Sequence, residues 1–398
     1  MHRPAPADRA RIGRARRSDP VTRSDRPVRV CIYRGLGRAA EKSGVGVAMR
    51  QQEAMLDRLD ARRVGLFERP DIVQINTIFA DSLVAGALGR LGGARVVSFA
   101  HSTRQDFENS WAGANAVAPL FDAWLGLVYR VGHVVVTPTP YSRSLIEKYR
   151  LRRPVHVLTN GVDTEFFAGG PQAAERFRAR YGLTSTDRVV VSVGHLMARK
   201  GIVEFVELAE RMPEVRFFWF GHTPRAVMTA DVRQAVDSAP ENLVFAGYVP
   251  RDQVRDAYAG ADVFCFMTHE ETEGIVVLEA LASGTHVLVR DIPVYDDWLP
   301  EGEVVHKARS THEFEATIRS ILGGEAADLT EAARAHARGH DLGSVAARLR
   351  GIYGGVGQAR PSMARRLRVA RRSRAALVAA RSRRVRRRGA GHARSGRP

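Results

Sequence analysis

HEETEGIVVLEALASG (269–284) follows the apolar run ADVFCFM (261–267). The apolar run reads as a buried strand bounded by turn residues. Gly274 then opens an apolar-periodic stretch, 275–282, that reads as a helix ending at Gly284. A strand, a glycine turn and a helix N-terminus make an anion site, because unpaired backbone N–H groups and the helix dipole face the loop. Glu271 stands before the turn and Glu279 lies two turns into the helix. Carboxylates bracketing an anion site suit a nucleotide sugar: phosphates take N–H donors, while sugar and ribose hydroxyls take acceptors. On spacing alone, the same residues also read as a surface turn and an amphipathic helix with solvated glutamates.

The strand-then-helix pattern recurs on both sides. Strands are expected at 28–33, 72–76, 95–99, 133–137 and 155–158, with helical patterns such as 47–59, 82–91 and 117–129 between them. In the second half, strands are expected at 189–193, 215–220, 243–245, 263–267 and 287–289. Such alternation implies parallel sheets covered on both faces by helices. The expected fold class is α/β, with two Rossmann-like, doubly wound domains facing a cleft outside the carboxyl ends of the strands. The expected boundaries are a basic tail at 1–27, a first domain at 28–168, a second at 169–340, a final helix at 341–360 and an Arg-rich tail at 361–398. FFAGGPQ (166–172) reads as the linker.

A chain of 398 residues, 44% hydrophobic and 26% charged, has room for two cores. No apolar run approaches the roughly 18 residues of a membrane span. The N-terminus lacks the apolar segment of a secretory signal. Cys31 and Cys265 fall in expected strands of different halves and read as packed thiols of a reducing cytoplasm, neither a disulfide nor a metal site.

The net charge of +18 resides in the tails. Residues 1–27 hold 8 Arg against 3 Asp, and residues 361–398 hold 14 Arg and no acid, so the body between them carries −1. Like charges with little apolar surface read as solvated. Leu367, Leu377 and Val378 punctuate the second tail, which also fits a segment drawn to anionic lipid. Nucleic acid would attract it by the same Coulombic force, but the tail has no aromatics to stack on bases.

Other candidates follow strands. Gly35 and Gly37 begin a dinucleotide fingerprint, but Ala40 occupies the third glycine position. Gly44 and Gly46 stand at the start of the next helix, where glycine permits the turn. His101 directly follows a strand, a place that faces the cleft; a hydrogen-bonded structural histidine is the alternative. Arg199 and Lys200, in GHLMARKG (194–201), are cations placed where a departing diphosphate develops charge, or else a solvated basic pair. Asn160-Gly161-Val162-Asp163 reads as a tight turn. Tyr248 and Val249 follow the strand near 245.

Glu271 and Glu279, eight positions apart, are similar to the E-x7-E signature of glycosyltransferase family 4, retaining enzymes with the GT-B fold. EETEGIVVLEALA resembles the version found in bacterial diacylglycerol glucosyltransferases and related glycolipid glycosyltransferases, and so does HSTRQDFENS (101–110). The resemblance spans 28–349, with its motifs in order, and implies a UDP-hexose donor and a lipid acceptor. It implies catalytic roles for His101, Arg199, Lys200 and Glu271. Donor contacts are implied at Gly44, Gly46, Tyr248, Val249, Gly274, Ile275, Val276 and Glu279. The family's arginine after the first glycine of GHLMARKG is replaced by His195, so Arg199 is expected to compensate. No D-x-D motif occurs, so no metal or other cofactor is expected. A cytoplasmic protein, peripheral on an anionic membrane through its tail, is the expectation. A soluble-acceptor or polysaccharide transferase is the rival within the family; a non-catalytic nucleic-acid-binding protein is the rival outside it.

Overall fold

The structure is a computed structural model that describes residues 26–36, 41, 43–59 and 61–358. Residues 1–25 of the first tail, all of the second, and Gly37 and Ala40 of the first glycine loop lie outside the described residues, as do the expectations placed on them.

The first domain is built from β1 (Val28–Tyr33), α1 (Gly44–Asp57), β2 (Ala61–Arg63), β3 (Ile72–Ile75), α2 (Ala80–Leu91) and β4 (Arg95–Phe99). It continues with α3 (Arg104–Phe107), α4 (Ala114–Arg130), β5 (Val134–Thr137), α5 (Pro140–Glu147) and β6 (Val155–Val157). The second contains α6 (Thr164–Phe167), α7 (Pro171–Arg180), β7 (Arg188–Val193), α8 (Ile202–Arg211), β8 (Val215–Phe220), α9 (Ala230–Asp237) and β9 (Leu243–Gly247). There follow α10 (Arg251–Gly260), β10 (Val263–Phe266), α11 (Ile275–Ser283), β11 (His286–Arg290), β12 (His306–Ala308), α12 (Thr311–Gly323), α13 (Thr330–Gly339) and α14 (Leu342–Gln358).

Each domain holds a six-stranded parallel sheet, ordered β2-β1-β3-β4-β5-β6 and β12-β11-β10-β7-β8-β9. The strands read as unbroken apolar runs because both faces are covered. Val189, Val191, Phe218 and Phe220 pack into one core of the second domain, while Val190, Phe217 and Trp219 pack into the other. β2 and β12, the first strand in each order, are not among the strands expected from sequence. Each is a three-residue edge strand, ARR or HKA, without an apolar run.

Strand order reverses between β10 and β7, the switch point at which doubly wound sheets bind ligands. Loops leaving these two strands carry Glu271 and Lys200, so residues about seventy positions apart in sequence become neighbours. The loops touch closely: His269 N–H donates to Arg199 O at 2.8 Å. A Cβ on Gly201, which has φ +78°, would lie 2.3 Å from Met267 O. Only glycine fits there.

At the start of the expected linker the chain is already packed into the second domain. Phe167 is fully buried in the second core and Phe166 packs against it. A few residues earlier, Val162 N donates to His340 O (2.9 Å) and Leu342 N to Val162 O (3.1 Å), pairing both passages of the chain between domains. Beyond it α14 returns to the first domain, placing Leu342, Val345, Leu349 and Tyr353 against Val30, Met55 and Val97.

Candidate active site

A cavity of about 620 Å³ lies between the domains. Gly44, Asn76, His101 and Asp106 face it from the first, and Lys200, Tyr248, Glu271 and Glu279 from the second. Of the residues singled out from sequence, Arg199, Val249, Gly274, Ile275 and Val276 also line it. Gly46 does not. It is buried within the first turn of α1.

Gly274 begins α11 at φ +88°, with the space for a Cβ closed to 3.0 Å by Tyr295 Oη. The first amides of a helix have no partner within it, and at Ile275 and Val276 they stand at the cavity wall. The rest of α11 is not amphipathic: Val277, Leu278, Ala280 and Leu281 are fully buried and Glu279 lies among them. Solvated glutamates are thereby ruled out. Glu279 accepts from Tyr258 Oη at 3.2 Å. Burial pushes its carboxyl up to about 7, against the opposing pull of Arg251.

Lys200 Nζ is ion-paired with Glu271 Oε1 and sits over the Phe266 ring, 5.5 Å from its centre. Burial lowers the Lys200 pKa while Glu271 opposes that shift. Arg199 is engaged differently. Its guanidinium donates to Ser110 Oγ (3.1 Å) and Glu270 O (2.6 Å) and lies 3.0 Å from Asp106 Oδ1. Asp106 is nonetheless raised, because its burial outweighs the attraction of Arg199. Arg199 therefore ties α3 to the loop of Glu271 while also lining the cavity. His195 does not supply a charge. Its Nδ1–H donates to His222 O at 3.0 Å, and burial lowers its pKa, keeping the ring neutral.

His101 is held by Asn76, its Nε2–H donating to Oδ1 at 3.1 Å. Burial lowers its pKa to about 4, so the ring is neutral at physiological pH and Nδ1 is left as an acceptor. Asn76 Nδ2 is buried without a partner among the described residues, a donor left for a ligand at the cavity wall. Tyr248 is half exposed beside the cavity.

Sequence reasoning misses three anchors of the donor loop. Glu273 accepts from Asn160 Nδ2 at 2.6 Å and, through burial, is raised to about 7. Glu270 accepts from Tyr141 Oη at 2.9 Å and is likewise raised by burial to about 7. Thr139 Oγ1 donates to Thr272 O at 2.8 Å. Together they fasten 270–273 to the first domain. The unusual density of glutamates in EETEG is the signal that could have found them. Among the described residues no cluster of three or more metal-ligating side chains occurs.

Two family models match the chain. Residues 173–338 match Glycosyl transferases group 1, and residues 22–166 match Glycosyltransferase Family 4. The processive diacylglycerol alpha-glucosyltransferase of Acholeplasma laidlawii is 35% identical over 306 residues, covering 76% of this chain and 91% of the relative. The alpha-galactosylglucosyldiacylglycerol synthase of Streptococcus pneumoniae is 31% identical over 42% of this chain and 46% of its own length. Among solved structures, Anabaena HepE in complex with UDP and glucose aligns at a TM-score of 0.65, covering 83% of this chain and 100% of that chain. At 13% identity, that likeness concerns the fold.

Proposed function

The chain belongs to glycosyltransferase family 4, and we propose that it moves a hexose from a UDP-sugar to the hydroxyl of a lipid such as diacylglycerol or a monoglycosyl diacylglycerol. The observation that carries this reading is the pairing of Lys200 with Glu271 at the switch point, beside the N-terminus of α11. The lipid acceptor draws on the two relatives named for diacylglycerol glycosylation.

In this reading the donor diphosphate takes Lys200 from Glu271 and lies against the amides of Ile275 and Val276. Glu271, released, accepts from the hexose hydroxyls. Glu279 accepts from the ribose hydroxyls, and Tyr248 with Val249 borders the base. The acceptor hydroxyl approaches on the face that the diphosphate leaves. The C1–O bond to phosphate breaks, the C1–O bond to the acceptor forms, and the acceptor proton passes to a diphosphate oxygen. Configuration at C1 is retained. His101, neutral and fixed by Asn76, offers Nδ1 to a hydroxyl of the transferred sugar. Lys200 and helix amides supply the positive potential where negative charge grows, the largest contribution expected in such a step. No metal or other cofactor is part of this proposal.

Among the described residues no helix is long and apolar enough to cross a membrane. A protein with a membrane-borne acceptor then needs a reversible hold on the surface, and the 14 arginines of 361–398 fit that need on the cytoplasmic face. A truncated chain ending at residue 360 is expected to bind anionic vesicles less than the full chain at low salt; equal binding removes the tail from the proposal. The test of the reaction is mass spectrometry of products from UDP-glucose or UDP-galactose offered against a panel of lipids and soluble sugars. A hexosyl lipid supports the proposal. Transfer to soluble sugars alone would establish the rival.

A further inference from the structure

We propose that the outer face of α4 carries the acyl chains of the acceptor, in a groove that opens from the reaction cleft. This inference rests on the lipid-acceptor reading and adds where the apolar part of that lipid lies. The groove, about 390 Å³, is lined by Phe107, Val117, Leu120, Phe121 and Trp124. Phe107 and Phe121 stack with ring centres 3.9 Å apart, and both also line the cleft. The two spaces therefore border the same ring pair.

Along α4, Val117, Leu120, Trp124 and Leu127 recur at helical spacing and form one stripe. The neighbouring face, with Leu125, Val128 and Tyr129, is buried in the domain, and Trp124 packs against its edge. Leu120 nevertheless remains 75% exposed and Val117 49%. An apolar stripe left exposed beside the buried face signals a ligand or partner. Trp124 donates its Nε1–H to Ile78 O at 2.7 Å, so the rest of the indole presents only carbon to the groove.

The lining selects the occupant. An extended peptide laid there would leave its N–H and C=O groups facing carbon, a costly arrangement. An acyl chain has no such groups. On the cleft side, Ile78 and Phe79 carry the apolar wall toward Asn76 and His101, where the acceptor hydroxyl must arrive. A glycerolipid has the matching shape: one hydroxyl at the end of long apolar chains.

The test compares dioleoylglycerol with dibutyrylglycerol as acceptors for UDP-glucose in detergent micelles. Leu120→Asp places a charge at an exposed position, so the fold is retained. Its kcat/KM for the long-chain acceptor is expected to fall about tenfold or more, since each buried CH₂ contributes to binding. The loss for the short-chain acceptor is expected to stay below about twofold, as for an ordinary surface change. A second readout needs no turnover: diacylglycerol brominated on its chains should quench wild-type tryptophan fluorescence, and Trp124→Phe should remove most of the quenching. Quenching without hexose transfer to any lipid would refute the proposed function and leave the groove standing. Equal losses for both acceptors, or no quenching at Trp124, would overturn the groove. So would quenching that appears only after removal of 361–398, which would make the tail its occupant, or dimers that Leu120→Asp dissolves.

Discussion

Lys200 and Glu271 meet across the switch point of the second sheet, the amine on the loop after β7 ion-paired with the carboxylate on the loop after β10. Their side chains are 14% and 9% exposed, so each is the other's compensation for lost water. Such a pair is costly to break from one side and easy to exchange for a better anion. In the proposed function a donor diphosphate is that anion, and Glu271, released by it, accepts from the sugar hydroxyls.

Lys200→Ala removes the cation where charge develops. Turnover is expected to fall by about a hundredfold or more, the usual effect of deleting one preorganised electrostatic donor. Stability also declines, because Glu271 is left buried without its partner. Steady-state rates and urea unfolding check both. Wild-type turnover in a folded variant would remove Lys200 from the mechanism.

Glu279 makes donor binding depend on pH. Its folded pKa of about 7 lies above the ordinary 4.5, so the folded protein binds the extra proton between these values and stability falls as pH rises through that window. Ribose hydroxyls donate to the ionised form. UDP-glucose affinity is therefore expected to increase from about pH 6 toward about pH 8 and to level off above the unliganded pKa of about 7. Glu279→Gln should bind more weakly and flatten the rise. Calorimetry with UDP-glucose, whose diphosphate has no ionisation near neutrality, measures this directly. An unchanged slope in the variant would exclude Glu279 as the titrating group.

Much of the donor site is legible in sequence because it is local. Glycine at the turn, apolar spacing after it and two glutamates define the start of α11 without knowledge of anything distant. What is not legible is held by long-range contacts. The loop sequence points Arg199 at the diphosphate, yet its partner Ser110 lies 89 residues away, in another domain. Glu273 and Asn160 are 113 residues apart. The packing of Phe167 is hidden for a related reason: two glycines beside Phe166 and Phe167 read as a connector, and nothing local shows that the second core encloses the Phe167 ring.

Arg199 acts as a positioning residue between α3 and the donor loop. Asp106→Ala leaves a buried guanidinium without its carboxylate, and a loss of about 3 kcal/mol of stability is expected. Arg199→Ala should cost a similar amount. The double variant should be less damaged than the sum, with a coupling of at least about 1 kcal/mol. Denaturant unfolding of the wild type and the three variants checks this. Additive losses would mean that the two side chains do not act as a pair.

His101→Ala should lower turnover about tenfold or more, equivalent to about 1.4 kcal/mol of transition-state stabilisation. UDP affinity should be nearly intact, because the ring stands on the wall of the first domain. A variant that unfolds early yet retains its specific activity would establish a structural role instead.

Anomeric NMR of the lipid product formed from UDP-α-glucose tests the central claim most directly. The single-face reaction, with Glu271 at the sugar and the diphosphate as proton acceptor, predicts one α-linked hexosyl lipid and one UDP per hexose transferred. A β-linked lipid, or UDP released with free glucose and no lipid product from any acceptor, would contradict it.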